Sequence, residues 1–217
     1  MLLLHEMMDS EADAAADAVR QAFGFKVTSR EAAVSSVLPA IKTFDGRYGR
    51  PVFLCTLPGS PGPGSLGLTR ADLFFGDEPK SDDWVFGVTS GQFALVSTAH
   101  LATTKEPGEA LLFGRIALMT VHEIGHAVVT GPHLKPTEWV DAVTGSRMPL
   151  AEHCSDRRCA MWEVADLVTP PLEEGYIELA GVIQTDTGLD DLIARRYDDW
   201  FCLDCRASIV AGRHWTE

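Results

Sequence analysis

The spacing of apolar residues near the start of the chain predicts one buried strand followed by one amphipathic helix. Residues 1–4 are apolar, as in a strand that is buried on both faces. Apolar residues then recur every three or four positions, from a cap at Asp9 or Ser10 to a stop at Gly24, which predicts a helix. A second strand is expected at residues 25–28.

The next part of the chain predicts a second helix, a loop and a sheet. Residues 31–57 favour an amphipathic helix in one or two pieces, and the proline- and glycine-rich residues 57–65 favour a loop. Short β-branched or aromatic runs separated by Gly, Asp or Ser are typical of strands. We expect these strands to form one mixed sheet with the first one, and they fall at residues 66–68 or 73–75, 84–88 and 93–97.

A longer helix is predicted at residues 107–130, where one apolar stripe follows the helical repeat. His122 and His126 lie beside this stripe, and Gly131 with Pro132 ends the helix. The remainder of the chain is rich in loops, with short helices expected at residues 171–180 and 190–196.

Composition and charge narrow the class of protein. A chain of 217 residues that is 46% hydrophobic is long enough to bury one core, so we expect a single domain and a monomer. The net charge of -13 repels phosphate backbones, which makes nucleic acid an unlikely partner. No apolar run approaches the roughly 18 residues of a membrane span. Because the first residues do not form an export signal, we expect a cytoplasmic protein with reduced thiols.

The most informative motif is the HExxH pentapeptide formed by His122, Glu123 and His126. Two histidines four positions apart on a helix lie on one face and can share one Zn²⁺, while the glutamate between them reaches a water on the metal. The motif therefore predicts a zinc hydrolase in which Glu123 acts as general base.

Four of the five cysteines form two close pairs in the last third of the chain. Cys154 with Cys159, and Cys202 with Cys205, match the spacing of a closed four-cysteine zinc site. In a reducing compartment such a site is favoured over two disulfides. We therefore expect a structural zinc in addition to the catalytic one, which makes two Zn²⁺ ions in all.

The order of these motifs resembles the archaemetzincin family of zinc metallopeptidases. The HExxH helix is followed by His-Cys-x4-Cys-x-Met at residues 153–161 and by Cys-x-x-Cys at residues 202–205. The resemblance implies that His153 is the third ligand of the catalytic zinc and that Met161 is the Met-turn residue beneath it. It also implies that the four cysteines hold the structural zinc.

The chain departs from the family in the position of the third histidine. A metzincin places this residue six positions after the second histidine, where this chain has Pro132. If His153 is the equivalent ligand, residues 131–152 are an insertion, which a surface loop accepts at low entropic cost. His133 is the alternative third ligand, and the further alternatives are a carboxylate such as Glu163 or Glu173, or no third ligand at all.

Taken together, the sequence predicts an α+β, metzincin-like fold with a mixed β-sheet, flanking helices, an active-site helix and a zinc-stapled C-terminal subdomain. We expect one domain, in which residues 1–130 hold the sheet and the active-site helix, residues 131–152 are the insertion and residues 153–217 form the four-cysteine subdomain. The predicted function is zinc-dependent hydrolysis of peptide bonds in a peptide or protein substrate. The alternative is a catalytically inert zinc-binding protein with a structural or interaction role.

Overall fold

The computed structural model describes residues 1–34, 41–42, 48–51, 64–74, 84–90, 93–101, 109–140, 147–163 and 189–211. These residues divide into two compact units, Met1–Val128 and Val129–Ala211. The elements of the first unit are β1 Leu2–His5, α1 Asp9–Phe23, β2 Thr28–Glu31, β3 Ile41–Lys42, β4 Tyr48–Pro51, β5 Ser65–Thr69, β6 Asp72–Phe74, β7 Trp84–Val85, β8 Gly87–Ser90, β9 Phe93–Ser97 and α2 Glu109–Val128. Those of the second unit are β10 Leu134–Val140, β11 Arg147–Cys154, α3 Leu189–Arg195 and α4 Leu203–Ala211.

The main sheet of the first unit has the strand order β2-β1-β5-β9-β8. Its first four strands are parallel, and β8 pairs with β9 in the antiparallel direction. Strand β5 is buried at every position, as expected for a parallel strand that has a neighbour on each side. The structure thus confirms the predicted mixed sheet with flanking helices, including its first strand.

Helix α1 is stabilised at both ends by local chemistry. The Met8 N–H donates a hydrogen bond of 3.0 Å to the Glu11 carboxylate, so the helix is capped from Met8 and not from Asp9 or Ser10 as predicted. Glu11 takes the part of the glutamate in a capping box, which accepts from the N–H of the cap residue itself, so the helix begins at a residue with no polar side chain. At the other end Gly24 takes a left-handed conformation with φ of 72°, which confirms the predicted stop.

The predicted helix at residues 31–57 is wrong where the structure describes this stretch. Strands β3 and β4 lie there, in a second sheet of order β3-β4-β6-β7, so the prediction of one sheet is also wrong. Strand β4 pairs with β6 in parallel, a contact between distant parts of the chain that local periodicity does not reveal. The strand predicted at residues 25–28 begins only at Thr28. The rest of the predicted helix, and nearly all of the loop at 57–65, lie outside the described residues.

The second unit is built on the hairpin of β10 and β11, which occupies most of the predicted insertion. The strands pair in the antiparallel direction, with Leu134 opposite Cys154 and Lys135 opposite His153. A bulge between Pro136 and Glu138 interrupts this register. Helix α3 confirms the helix predicted at residues 190–196, whereas α4 was not predicted and the helix at 171–180 lies outside the described residues.

In the part of the chain that the structure describes, every helix is too short or too polar to cross a bilayer.

Candidate metal centres

Helix α2 brings the two histidines of the HExxH motif together at their ring nitrogens. The Nε2 atoms of His122 and His126 are 3.1 Å apart, and the two rings are perpendicular. Two nitrogens bound to one tetrahedral Zn²⁺ at 2.0–2.1 Å would lie about 3.3 Å apart. The pair therefore fits one small divalent cation without rearrangement of the helix.

Glu123 points from the same helix towards strand β8 and is buried, with 5% of its surface exposed. The Thr89 hydroxyl lies 2.9 Å from Glu123 Oε2 and 2.5 Å from the Glu123 carbonyl oxygen, so it can donate its single proton to either. Burial raises the pKa of Glu123 from an ordinary 4.5 to about 8, and the hydrogen bond from Thr89 lowers it in part. Thr89 is thus the partner that orients the carboxyl group.

The side chain of Glu123 occupies space that exists because residue 87 is a glycine. A Cβ atom on Gly87 would lie 2.7 Å from Glu123 Cγ and 2.7 Å from the carbonyl oxygen of Leu95. Real atoms essentially never approach so closely, and the Leu95 carbonyl belongs to the neighbouring strand β9. A glycine inside a strand often marks such a close approach, so the sequence offered a reason to single out Gly87. It offered none for Thr89.

His153 is buried in the hairpin and held by Thr137, which lies at the bulge of β10. The Thr137 hydroxyl oxygen is 3.0 Å from the Ala151 carbonyl oxygen and 2.8 Å from His153 Nδ1. Because a carbonyl only accepts, the hydroxyl donates to Ala151 and accepts from the Nδ1–H of the imidazole. This leaves the lone pair of His153 on Nε2, the tautomer in which a histidine binds a metal through Nε2.

The four cysteines of the two pairs form one buried cluster in the second unit. Their sulfur atoms all lie within 4.8 Å of one another, and all four are free thiols. The Sγ atoms of Cys154 and Cys202 are 3.7 Å apart, whereas two thiolates bound to one tetrahedral Zn²⁺ at 2.3 Å would be about 3.8 Å apart. The cluster therefore matches the predicted four-cysteine site in composition and in size.

Backbone hydrogen bonds hold the two cysteine loops against each other. The Ala160 N–H donates to the Trp200 carbonyl at 2.8 Å, and the Tyr197 N–H donates to the Arg158 carbonyl at 3.1 Å. Trp200 has φ of 74°, a left-handed conformation that costs a non-glycine residue free energy and persists because its neighbours fix it. The two loops that carry the cysteine pairs are thus joined by backbone hydrogen bonds, which do not require an ion.

The thiol of Cys154 is the one placed to carry negative charge. Hydrogen bonds from the Cys159 and Cys205 thiols, with the backbone N–H of Asp156, lower the pKa of Cys154 to about 2. The thiols of Cys159 and Cys205 lie beside the Cys154 thiolate, and this raises the pKa of both. A divalent cation would favour all four thiolates, because opposite charge stabilises the ionised form.

The other described residues that the sequence predicts for the site also lie in the second unit. His133 contacts the cysteine cluster, with its Nε2 atom 3.1 Å from Cys205 Sγ. Met161 is completely buried, and its carbonyl accepts a hydrogen bond of 2.8 Å from the Cys154 N–H. Glu163 is partly buried, and burial raises its pKa from 4.5 to about 7. Glu173 lies outside the described residues.

Comparisons with known proteins find a similar fold among solved structures. Neither the protein-family models nor the curated protein sequences gave a match. Among solved structures, archaemetzincin from Methanopyrus kandleri is 24% identical with a TM-score of 0.59, covering 97% of this chain and 93% of that one. A zinc-dependent peptidase from Methanocorpusculum labreanum is 17% identical with a TM-score of 0.57, covering 96% and 100%. Archaemetzincin from Archaeoglobus fulgidus is 18% identical with a TM-score of 0.55, covering 96% and 99%.

These likenesses extend over nearly the whole length of each chain. They show that this protein has the fold of the archaemetzincin structures, which confirms at the level of fold the resemblance predicted from the motifs. One of these structures is described as a zinc-dependent peptidase, and this chain carries histidine and cysteine residues that could hold a metal ion.

Replacement of Gly87 by alanine should destabilise the first unit by about 1–3 kcal/mol, because the added methyl group meets both Glu123 and the Leu95 backbone. Gly67→Ala is the matched control: its Cβ would meet only side-chain atoms, of Leu95, Val34 and Phe93, which can shift. Chemical denaturation of both variants measures the difference. Equal losses in the two variants would show that the space under Glu123 is not limiting.

Glu163→Gln should change how stability depends on pH. The folded protein keeps the Glu163 proton up to about pH 7, while the unfolded chain releases it near 4.5. The free energy of unfolding of the wild type should therefore fall relative to Glu163→Gln as pH rises through this window. Urea denaturation of both proteins across the window measures the difference, with the exposed Glu152→Gln as control. Parallel curves for wild type and Glu163→Gln would contradict the assignment.

Proposed function

We propose that this protein is a zinc-dependent metallopeptidase whose catalytic ion is bound by His122, His126 and His153, with Glu123 as general base. The observation that carries the proposal is the separation of 3.1 Å between the Nε2 atoms of His122 and His126, on a helix that also supplies Glu123. The structural neighbours support it, since one of them is described as a zinc-dependent peptidase.

Three observations within the second unit favour His153 over His133 as the third ligand. Thr137 holds the His153 ring in the tautomer whose Nε2 carries the lone pair. His133 has its own Nε2 directed at the sulfur of Cys205. His153 is also fixed in the chain by its neighbour Cys154, which belongs to the cysteine cluster. We assign His153 as the ligand on these grounds.

A second ion on the four cysteines has a structural role in this proposal. Four buried thiols with no open position match closed structural sites, whereas catalytic zinc sites use three protein ligands and leave one position for water. Cys154 directly follows His153, so an ion that fixes this cysteine also fixes the backbone that presents the imidazole. Met161, packed beside the same strand end, is the proposed Met-turn residue.

The chain's own residues can carry the proton transfers that peptide hydrolysis requires. When bound, zinc supplies a Lewis acid that lowers the pKa of water towards neutrality and polarises the scissile carbonyl. Glu123 accepts a proton from the attacking water as the new C–O bond forms, and then donates it to the leaving nitrogen as the C–N bond breaks. The hydroxyl of Thr89 holds the Glu123 carboxyl group in one orientation during both transfers.

Glu123→Gln should retain zinc and lose peptide hydrolysis by about 100-fold or more, because the amide cannot accept the proton. The measurement is cleavage of a mixed peptide library by zinc-loaded protein, together with metal content. The exposed Glu31→Gln is the control and should cleave like the wild type. Full hydrolysis by Glu123→Gln would exclude the general-base role, and a wild type that binds zinc without cleaving any peptide would favour the inert alternative.

Thr137→Val should weaken binding of the catalytic zinc by about 10- to 100-fold, because the isosteric methyl group no longer accepts the His153 Nδ1–H. Competition with a chelator of known affinity measures the change. Thr137→Ser keeps the hydroxyl and should bind nearly as tightly as the wild type. If His153→Ala leaves the zinc content unchanged while His133→Ala lowers it, the assignment of the third ligand is wrong.

A further inference from the structure

The turn that precedes strand β10 places His133 beside the cysteine cluster. The Leu134 N–H donates to the Gly131 carbonyl at 3.2 Å, which closes a tight turn with Pro132 at its second position. Leu134 is then paired with Cys154 in the hairpin. The residue immediately before Leu134 therefore lies next to the cysteines because of the hairpin register, and that residue is His133.

The His133 ring packs against the backbone of Gly131. Gly131 has φ of 139°, and a Cβ atom there would lie 3.0 Å from His133 Nδ1 and 3.2 Å from Cε1. The ring thus rests against bare backbone, with its Nε2 atom 3.1 Å from Cys205 Sγ. Among the described residues, the four cysteines form a group whose sulfur atoms all lie within 4.8 Å of one another. His133 does not belong to this group.

We infer that His133 is a positioning residue of the cysteine zinc site, where its Nε2–H donates a hydrogen bond to the Cys205 thiolate. This inference rests on the proposal that the four cysteines hold an ion. Four thiolates around one divalent cation keep an overall negative charge, which N–H donors to sulfur disperse. Backbone N–H groups already donate to Cys154 and Cys202, from Asp156 at 3.4 Å and from Cys205 at 3.5 Å.

His133 extends this pattern to the sulfur of Cys205, which is completely buried. A donated hydrogen bond withdraws electron density from the thiolate, so the sulfur is less easily protonated and less easily displaced from the ion. Because groups that hydrogen-bond to metal ligands change metal affinity by about 10- to 100-fold, loss of this bond should accelerate zinc release to a similar extent. His133 thus helps the cysteine site to keep its ion and does not itself bind either ion.

The test compares His133→Leu, which removes the donor, with His133→Gln, whose amide can still donate to sulfur. Full-length protein loaded with zinc is mixed with a chromogenic chelator, and the rate of zinc transfer is followed. We expect release from the cysteine site to be about 10- to 100-fold faster in His133→Leu and close to the wild-type rate in His133→Gln. The exposed Lys135→Ala, in the same hairpin, is the matched control.

A second readout reports on the sulfur directly. In protein loaded with Co²⁺, the sulfur-to-metal charge-transfer band should move to lower energy in His133→Leu, because the Cys205 sulfur becomes more electron-rich, and should stay in place in His133→Gln. A packing role alone would not separate the two variants in this way. An unchanged band together with unchanged release in His133→Leu would overturn the inference.

Two further outcomes separate this inference from the proposed function. If Cys205→Ser keeps the zinc content of the wild type, the cysteine site itself is not a zinc site, and both proposals about it fail. If His133→Leu lowers the zinc content but leaves the sulfur-to-cobalt band intact, His133 is a ligand of the other ion, which overturns its assignment here.

Discussion

The close approach of helix α2 to strand β8 is the constraint on which the candidate catalytic site depends. Gly87 presents bare backbone to the helix, and the side chain of Glu123 fills the space so left. The hydroxyl of Thr89, two residues along the same strand, lies within hydrogen-bond distance of both the Glu123 carboxyl group and the Glu123 carbonyl oxygen. The strand therefore fixes both the position of the helix and the direction of its acidic side chain, while the helical repeat alone directs His122 and His126 to a common point.

The two units use different means to bury groups that carry charge. In the first unit the Glu123 carboxyl group is buried with a hydroxyl partner, and its pKa rises because of the burial. In the second unit several thiols share hydrogen bonds, so negative charge settles on Cys154 at the expense of its neighbours. Both arrangements are costly without a cation and favourable with one.

The parts of the site that the sequence predicted are those defined by local spacing. The HExxH helix and the two cysteine pairs are short motifs, and their geometry follows from a helical turn or a tight loop. The place of His133 was not predictable, because it depends on the register of a hairpin within what reads as an insertion. The same reason explains the failed helix at residues 31–57, where pairing between β4 and β6 prevails over local periodicity.

The cysteine cluster joins residues that are far apart in the chain, and this has a consequence for variation in length. Cys154 and Cys202 are 48 positions apart, yet their loops are bonded backbone to backbone. The entropy of closing such a long loop rises slowly, by about 0.6 kcal/mol for each doubling of its length. Residues added between the two pairs should thus cost little, whereas one residue added inside a pair would displace a sulfur. The cysteine cluster therefore tolerates a change in the length of the chain between its two pairs far better than a change within either pair.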